Sequence, residues 1–349
     1  MVFRKLVMSF VVMSIMLIAA CSSSSSSTNE DASSSQDGKI VIRLSHSSSP
    51  TSTWEEGANK WAELVDAATD GRIEIQSYAS GQLTGGSQET EMSMLQSGDI
   101  QASMTSPLWY TALIPEMSVF MMPFLFENEE EVDRILDSDI GADILKMLEV
   151  HNIIGLAYGE NGFRQLTNNK HEVRTPEDLK GLKIRIPGIQ LYTSIFTTLG
   201  ADPTVMTWGE AFTGLQQGTI DGQENPIVGM IIPNRVYEVQ DYITIWNYSY
   251  DPIILGVNKD FFEALSEEDQ EILRTTAIEA MQYQRERNRS DVDGIDPIEY
   301  LEQQGMIVTH LSEEEKDRFK TILAPIYEEY APIVGEELLD RFLEATGRQ

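Results

Sequence analysis

From Lys39 onward the apolar positions of the chain follow two periods. Ile40, Ile42 and Leu44 recur every second residue, which places them on one face of a strand over residues 40–45. Trp54, Trp61, Leu64, Val65 and Ala68 follow at spacings of 7, 3, 1 and 3, the stripe of a core-facing helix with Ser52 or Thr53 as its N-cap. Gly71 breaks that stripe, residues 72–76 read as a second strand, and a helix from Ser87 stops at Gly98, a residue suited to a left-handed C-cap. Residues 100–104 and 153–158 read as further strands, separated by a Met- and Phe-rich loop over 115–126 and one or two helices over 129–150. The alternation then resumes with a strand at 183–186, helices at 188–199 and 209–217, the second closed by Gly218, and a strand at 253–258. Ser266 caps a long helix that runs past Arg289, and Ser312 caps another that runs to about Tyr330. Strands alternating with helices predict an α/β fold with mainly parallel sheets.

The N-terminus has a different pattern. Arg4-Lys5 precedes 15 consecutive residues, 6–20, that are almost wholly apolar, a signal-peptide length and too short for a membrane-spanning helix. The run ends in Ala19-Ala20-Cys21, with small residues before the only cysteine of the chain. This resembles the bacterial lipoprotein signal, and the resemblance implies cleavage of residues 1–20 and lipidation at Cys21; a short uncleaved anchor is the alternative. Residues 22–38 are dominated by Ser with nothing apolar to bury, a flexible tether that hangs the folded body outside the cytoplasmic membrane. With Cys21 lipidated, no thiol remains for disulfides, metal or nucleophilic catalysis.

Charge narrows the functional classes. The 349 residues include 25 Lys+Arg against 56 Asp+Glu, a net charge of −31, with no basic run after Lys5. A nucleic-acid partner, which needs clustered cations, is excluded on that count. His46, His151, His171 and His310 stand alone, and the chain lacks HExxH, GxSxG, Walker and GxGxxG motifs. The faint calcium-loop pattern at residues 291–296 has Gly294 at position four and Ile295 where a ligand belongs, so no metal is expected.

What stands out is cationic. Arg164 follows the turn-like Glu160-Asn161-Gly162, and Arg185 sits inside an apolar strand directly before Pro187-Gly188. Such an arginine either forms a structural salt bridge with one of the many acids or offers its planar fork to a ligand carboxylate.

Several segments, read in order, resemble the solute-binding proteins of TRAP transporters, the DctP type. They are Gly81-Gln82-Leu83-x-Gly85-Gly86, Gln96-Ser97-Gly98-Asp99-Ile100, Met122-Pro123-Phe124-Leu125-Phe126, Asn161-Gly162-Phe163-Arg164, the stretch Thr175-Pro176 through Arg185-Ile186-Pro187, and the stretch Trp208-Gly209 through Gln223-Glu224-Asn225-Pro226. The resemblance implies a periplasmic binding protein-like fold, two α/β domains joined by a hinge with a long helix crossing both. Domain 1 is expected over residues 39–161 plus about 251–290, and domain 2 over 162–250 plus about 291–349. Carried over by position, Arg185 matches the arginine that clamps the ligand carboxylate, Arg164 a second arginine beside it, and Asn225 the asparagine that hydrogen-bonds the ligand. With two arginines the cleft is expected to stay positive inside a negative protein. Glu89 is the first-domain candidate, one position further from the glycines than the acid of many relatives. His46 and Ser47 end the first strand and are candidates for the cleft, and Trp208, Tyr192, Phe163 and Trp109 are aromatic candidates, each with a core-packing role as the alternative.

The expected function is a lipid-anchored extracytoplasmic receptor that captures an organic acid and delivers it to small and large TRAP membrane subunits. It is expected to have no catalysis, cofactor or metal. C4-dicarboxylates, sugar acids, keto acids and aromatic acids all suit two arginines and an asparagine. A sugar acid is favoured because His46, Ser47, Gln88 and Glu89 would serve ring hydroxyls. A lyase or isomerase on a binding-protein scaffold and an adhesive lipoprotein are the readings from other classes.

Overall fold

The computed structural model describes residues 39–348. The signal segment, Cys21 and the Ser-rich tether lie outside them. The strands are β1 Ile40–Ser45, β2 Ile73–Tyr78, β3 Ala102–Thr105, β4 Ile153–Asn168, β5 Lys183–Ile186, β6 Asp202–Val205, β7 Gly222–Pro226, β8 Tyr242–Ile245, β9 Tyr250–Asn258 and β10 Ile307–His310. The helices are α1 Thr53–Ala68, α2 Gln88–Ser97, α3 Glu129–Leu136, α4 Asp139–Lys146, α5 Gln190–Thr198, α6 Trp208–Gln217, α7 Lys259–Glu263, α8 Glu267–Asn288, α9 Pro297–Gln303, α10 Glu313–Val334 and α11 Glu336–Ala345.

The predicted caps are present, because each supplies a partner to an orphaned helix-end amide. The side chain of Ser52 accepts from the Glu55 amide, that of Ser87 from Thr90, and that of Ser266 from Asp269. Ser312 and Glu315 cap each other's amides reciprocally at the start of α10. Gly98 closes α2 at φ 82° and Gly218 closes α6 at φ 67°, both left-handed. Helix α8 ends at Asn288 and does not continue past Arg289.

The strand order is β2-β1-β3-β9-β4-β7-β5-β6, with β8 pairing β4 and β10. Parallel pairs form the two wings (β1 with β2 and β3; β5 with β6 and β7), but the centre is antiparallel. There β4 pairs with β9 over its first part and with β7 and β8 over its last. The sheet is therefore mixed where mainly parallel sheets were expected. Alternation missed this because only residues 153–158 of β4 are apolar; the rest of this 16-residue strand is rich in Gly, Asn, Gln, Glu, Arg and Thr, yet buried.

The expected turn at Glu160-Asn161-Gly162 is a bulge within β4. The register with β9 shifts between Glu160 and Gly162, Asn161 is the extra residue, and Gly162 adopts φ 115°. The Met- and Phe-rich stretch is also no loose loop: Pro115–Met121 winds into a 3-10 turn whose Met117, Val119, Phe120 and Met121 are fully buried. Helix α10 packs on that turn on one side and on α5 on the other. Tyr327 Oη donates to the Pro123 carbonyl at 2.9 Å, and Tyr330 Oη lies 3.2 Å from Ser194 Oγ.

Candidate ligand site

A cavity lies between the β1 wing and the β5–β7 wing, over the β4–β9 pair. Its walls include Ser47, Trp54, Gln88 and Trp109 on one side, Arg185, Trp208 and Asn225 on the other, and Asn161, Arg164 and Asp251 at the base. The free volume is about 30 Å³. One water needs roughly 10–15 Å³ of such space, so the room is that of a small polar group the size of a carboxylate.

Arg164, at the base of this space, is held by buried acids. Its Nε donates to Glu224 Oε2 at 2.5 Å, Nη1 to Asp251 Oδ2 at 2.7 Å, and Nη2 to Glu224 Oε1 at 2.9 Å and Asn225 Oδ1 at 3.0 Å. Tyr248 Oη completes Glu224 at 2.6 Å, and Ser106 Oγ and Asn161 Nδ2 donate to Asp251. Burial opposes the charge on Arg164, but Glu224 and Asp251 outweigh it and hold its pKa well above the usual value. For Asp251 the balance goes the other way: burial pushes the carboxyl up despite the opposing charge of Arg164. Two buried carboxylates thus hold Arg164 at the base of the cavity, with one Nη1 hydrogen left without a protein acceptor among the described residues. The expected positive cleft is corrected: two cations face two anions.

Arg185 differs. Among the described residues three arginines are buried, Arg164, Arg185 and Arg285; the first and last pair with carboxylates and Arg185 pairs with none. Strand β5 lies between β6 and β7 and carries Arg185 to the cavity wall, where Nε donates to the Met206 carbonyl at 2.9 Å. The Trp208 ring, at the first position of α6, lies 5.6 Å from the guanidinium carbon. The Nε anchor and the ring hold the guanidinium plane, while the two terminal nitrogens have no protein acceptor among the described residues. Burial pulls the pKa down to about 10, with Glu224 opposing and Arg164 reinforcing, so the group is cationic at neutral pH. An immobilised cation with a free fork is suited to a carboxylate from outside.

The structure places Asn225, Trp208, Ser47 and Trp109 on the cavity wall with Arg185. It separates the others. Glu89 is exposed, and Gln88, one residue earlier and buried at the start of α2, takes the wall position. His46 is fully buried behind the wall, its Nε2 2.7 Å from Glu55 Oε2. Phe163 packs edge-on against Tyr250 at 5.1 Å, because successive residues of an extended strand point to opposite faces and Arg164 takes the cavity side. Tyr192 is core: its ring lies 5.5 Å from the Arg164 guanidinium carbon and its hydroxyl 3.0 Å from Ser249 Oγ. Sequence reasoning missed Trp54, Asn161, Ser106 and Asp251. Trp54 counted as a stripe residue of α1, Asn161 stood in a quoted motif without a role, and Asp251 was one acid among many. Among the described residues no group of three or more His, Cys, Asp or Glu is arranged to hold a metal ion.

The sequence profile of a bacterial extracellular solute-binding protein family, family 7 or DctP, matches residues 44–332. The chain belongs to this family. Among DctP-family relatives, the C4-dicarboxylate-binding protein DctB of Bacillus subtilis is 33% identical over 309 residues, 88% of this chain and 86% of the relative. A TRAP periplasmic solute-binding protein from Ralstonia eutropha, solved with bound (S)-2-acetolactate, superposes with a TM-score of 0.84 at 33% identity, covering 88% of this chain and 99% of that one. The sugar acid binding protein DctPAm of Advenella mimigardefordensis, solved with galactonate, gives 0.84 at 33% identity and covers 89% and 99%. These DctP-family neighbours are solute-binding receptors, which supports the receptor reading and gives the lyase or isomerase alternative no footing.

Proposed function

We propose that this DctP-family receptor captures an organic acid by its carboxylate, with Arg185 as the anchor, Trp208 holding the anchor in place and Asn225 adding hydrogen bonds. The observation that carries the reading is the unpaired Arg185 fork on a cavity of carboxylate size. The acids named for its relatives, acetolactate, galactonate and C4-dicarboxylates, share that one group. Residues 39–161 with about 251–290, and 162–250 with about 291–349, act as two lobes that close over the ligand about the β4–β9 pair. The Ser48 Oγ to Gly229 carbonyl hydrogen bond, 3.1 Å, supports this as a contact between the lobes. Lipidation at Cys21 tethers the receptor to the membrane surface, and small and large TRAP membrane subunits take the ligand from it.

Native mass spectrometry of the full chain, purified without added ligand, tests the core of this reading. One acid recovered unchanged, with none on Arg185→Ala, supports it; a chemically altered compound, or equal occupancy in the variant, overturns it. Release of Cys21→Ser from the membrane fraction tests the anchor.

A further inference from the structure

We infer that the ligand is a monocarboxylate whose far end is uncharged and hydroxylated, and that dicarboxylates are rejected; this rests on Arg185 being the carboxylate anchor. The charge count around the cavity carries it. Arg164 and Arg185 face Asp251 and Glu224, so the site is neutral before any ligand enters. A first carboxylate takes the free fork of Arg185, while the charge of Arg164 is already balanced by Glu224 and Asp251, neither of which a ligand displaces without stranding a buried acid.

A second carboxylate would need a second cation, and the walls of the adjoining cavity carry none. Ser47 and Trp208 also line that cavity, of about 230 Å³, where Ser80, Gly86, Phe212 and Asn234 complete the walls without a single ionisable group. Arginines of other cavities are committed: Arg235 to Glu238, Arg287 to Glu56, and Arg289 to Asp133 and Glu160. A carboxylate buried there without a partner keeps its full desolvation cost, within a chain of net charge −31. Neutral hydrogen-bonding groups, by contrast, are at hand. Trp54 Nε1 is buried without an acceptor, and Ser47, Gln88 and Asn234 stand on the walls of the two cavities. They match hydroxyls, which both donate and accept.

Calorimetric titration of the full chain with matched acids decides the matter: galactonate against galactarate, erythronate against meso-tartrate, and 4-hydroxybutyrate against succinate. Each pair differs only by a terminal CH2OH in place of the second carboxylate. The expected result is that, in every pair that binds, the monoacid binds at least about 100-fold more tightly. A diacid that equals or exceeds its monoacid overturns the inference while leaving the receptor reading intact. Failure of every acid in both classes, or unchanged binding by Arg185→Ala, overturns the anchor itself. Phe212→Arg, which places a cation on the wall of the adjoining cavity, is expected to raise diacid affinity about tenfold; no gain would show that charge is not what excludes diacids and would also overturn the inference.

Discussion

Asp251 Oδ2 lies 2.7 Å from Arg164 Nη1, a fully buried ion pair at the base of the cavity. Glu224 closes the other side of the same guanidinium, so the arginine nearest the base of the cavity is a structural cation holding β4, β7 and β9 together. Arg185 is thereby left as the cation with room for an anion, and the two arginines call for opposite behaviour on mutation.

Arg185→Ala should cost about 2–5 kcal/mol of ligand binding, roughly one and a half to four decades in Kd. Arg185→Lys should recover little of it, because an ammonium has no planar fork and cannot reach both the Met206 carbonyl and a carboxylate. The unliganded fold should lose less stability in either variant than in Arg164→Ala, since Arg185 has no ion pair to lose, only the Met206 hydrogen bond and its contact with Trp208. Calorimetry and urea unfolding of the same preparations check both halves, and normal binding by the lysine variant would remove the fork argument.

Arg164→Ala should act on stability first. It strands Glu224 and Asp251 in a fully buried site, a loss of about 3–5 kcal/mol. Urea unfolding without ligand should show a lower midpoint at unchanged slope. A variant as stable as the parent but defective in binding would restore Arg164 to the ligand site.

Glu91 predicts a pH dependence of stability. It is buried on α2 with no cation beside it; Ser45 Oγ donates to Oε2 at 2.7 Å, and Oε1 has no partner. Burial pushes its pKa up to about 7 from 4.5, with Ser45 opposing. Between those values the folded chain holds a proton that the unfolded chain has released. Its contribution therefore falls as pH rises from about 4.5 to about 7 and is flat above, a loss of about 3 kcal/mol. Glu91→Gln should match the parent near pH 4.5 and exceed it at pH 8 in urea unfolding; equal midpoints at pH 8 would contradict the assignment.

Gly229 packs directly against Asn161 and Ser48. A Cβ there would meet Asn161 Oδ1 at 2.1 Å and the Asn161 carbonyl at 2.6 Å, and the Gly229 carbonyl accepts the Ser48 hydrogen bond. Gly229→Ala should push this segment off the cavity and cost about 1–3 kcal/mol of stability. Ligand should leave at least tenfold faster, the usual route by which a contact change alters affinity. Stopped-flow dissociation measures the rate directly, and an unchanged off-rate would show that the contact plays no part in closure.

Elements defined by local rules were legible from the chain alone. Ser52, Ser87, Ser266 and Ser312 mark helix starts because a side-chain oxygen must meet an orphaned amide within three residues, and Gly98 and Gly218 mark ends because few other residues adopt the left-handed turn. Arg185 was legible as a candidate: a cation in an apolar strand before a proline calls for either a salt bridge or a ligand carboxylate. The family was readable from motifs in order, and the described chain has the fold those motifs imply.

Pairing between distant residues was decided only by tertiary structure. Nothing local distinguishes Asp251 from the other acids or tells that it would neutralise Arg164 across 87 residues of chain. The last part of β4 reads as polar loop because its partners, not its hydrophobicity, bury it. Gln88 rather than Glu89 meets the cavity because one residue turns a helix by about 100°, an angle fixed by where α2 starts. The sequence by itself determined the helix starts at Ser52, Ser87, Ser266 and Ser312, the helix ends at Gly98 and Gly218, and the family. Which of two arginines was free to meet a ligand depended on contacts that exist only once the chain is folded, because charge compensation is set by distance in space and not along the chain.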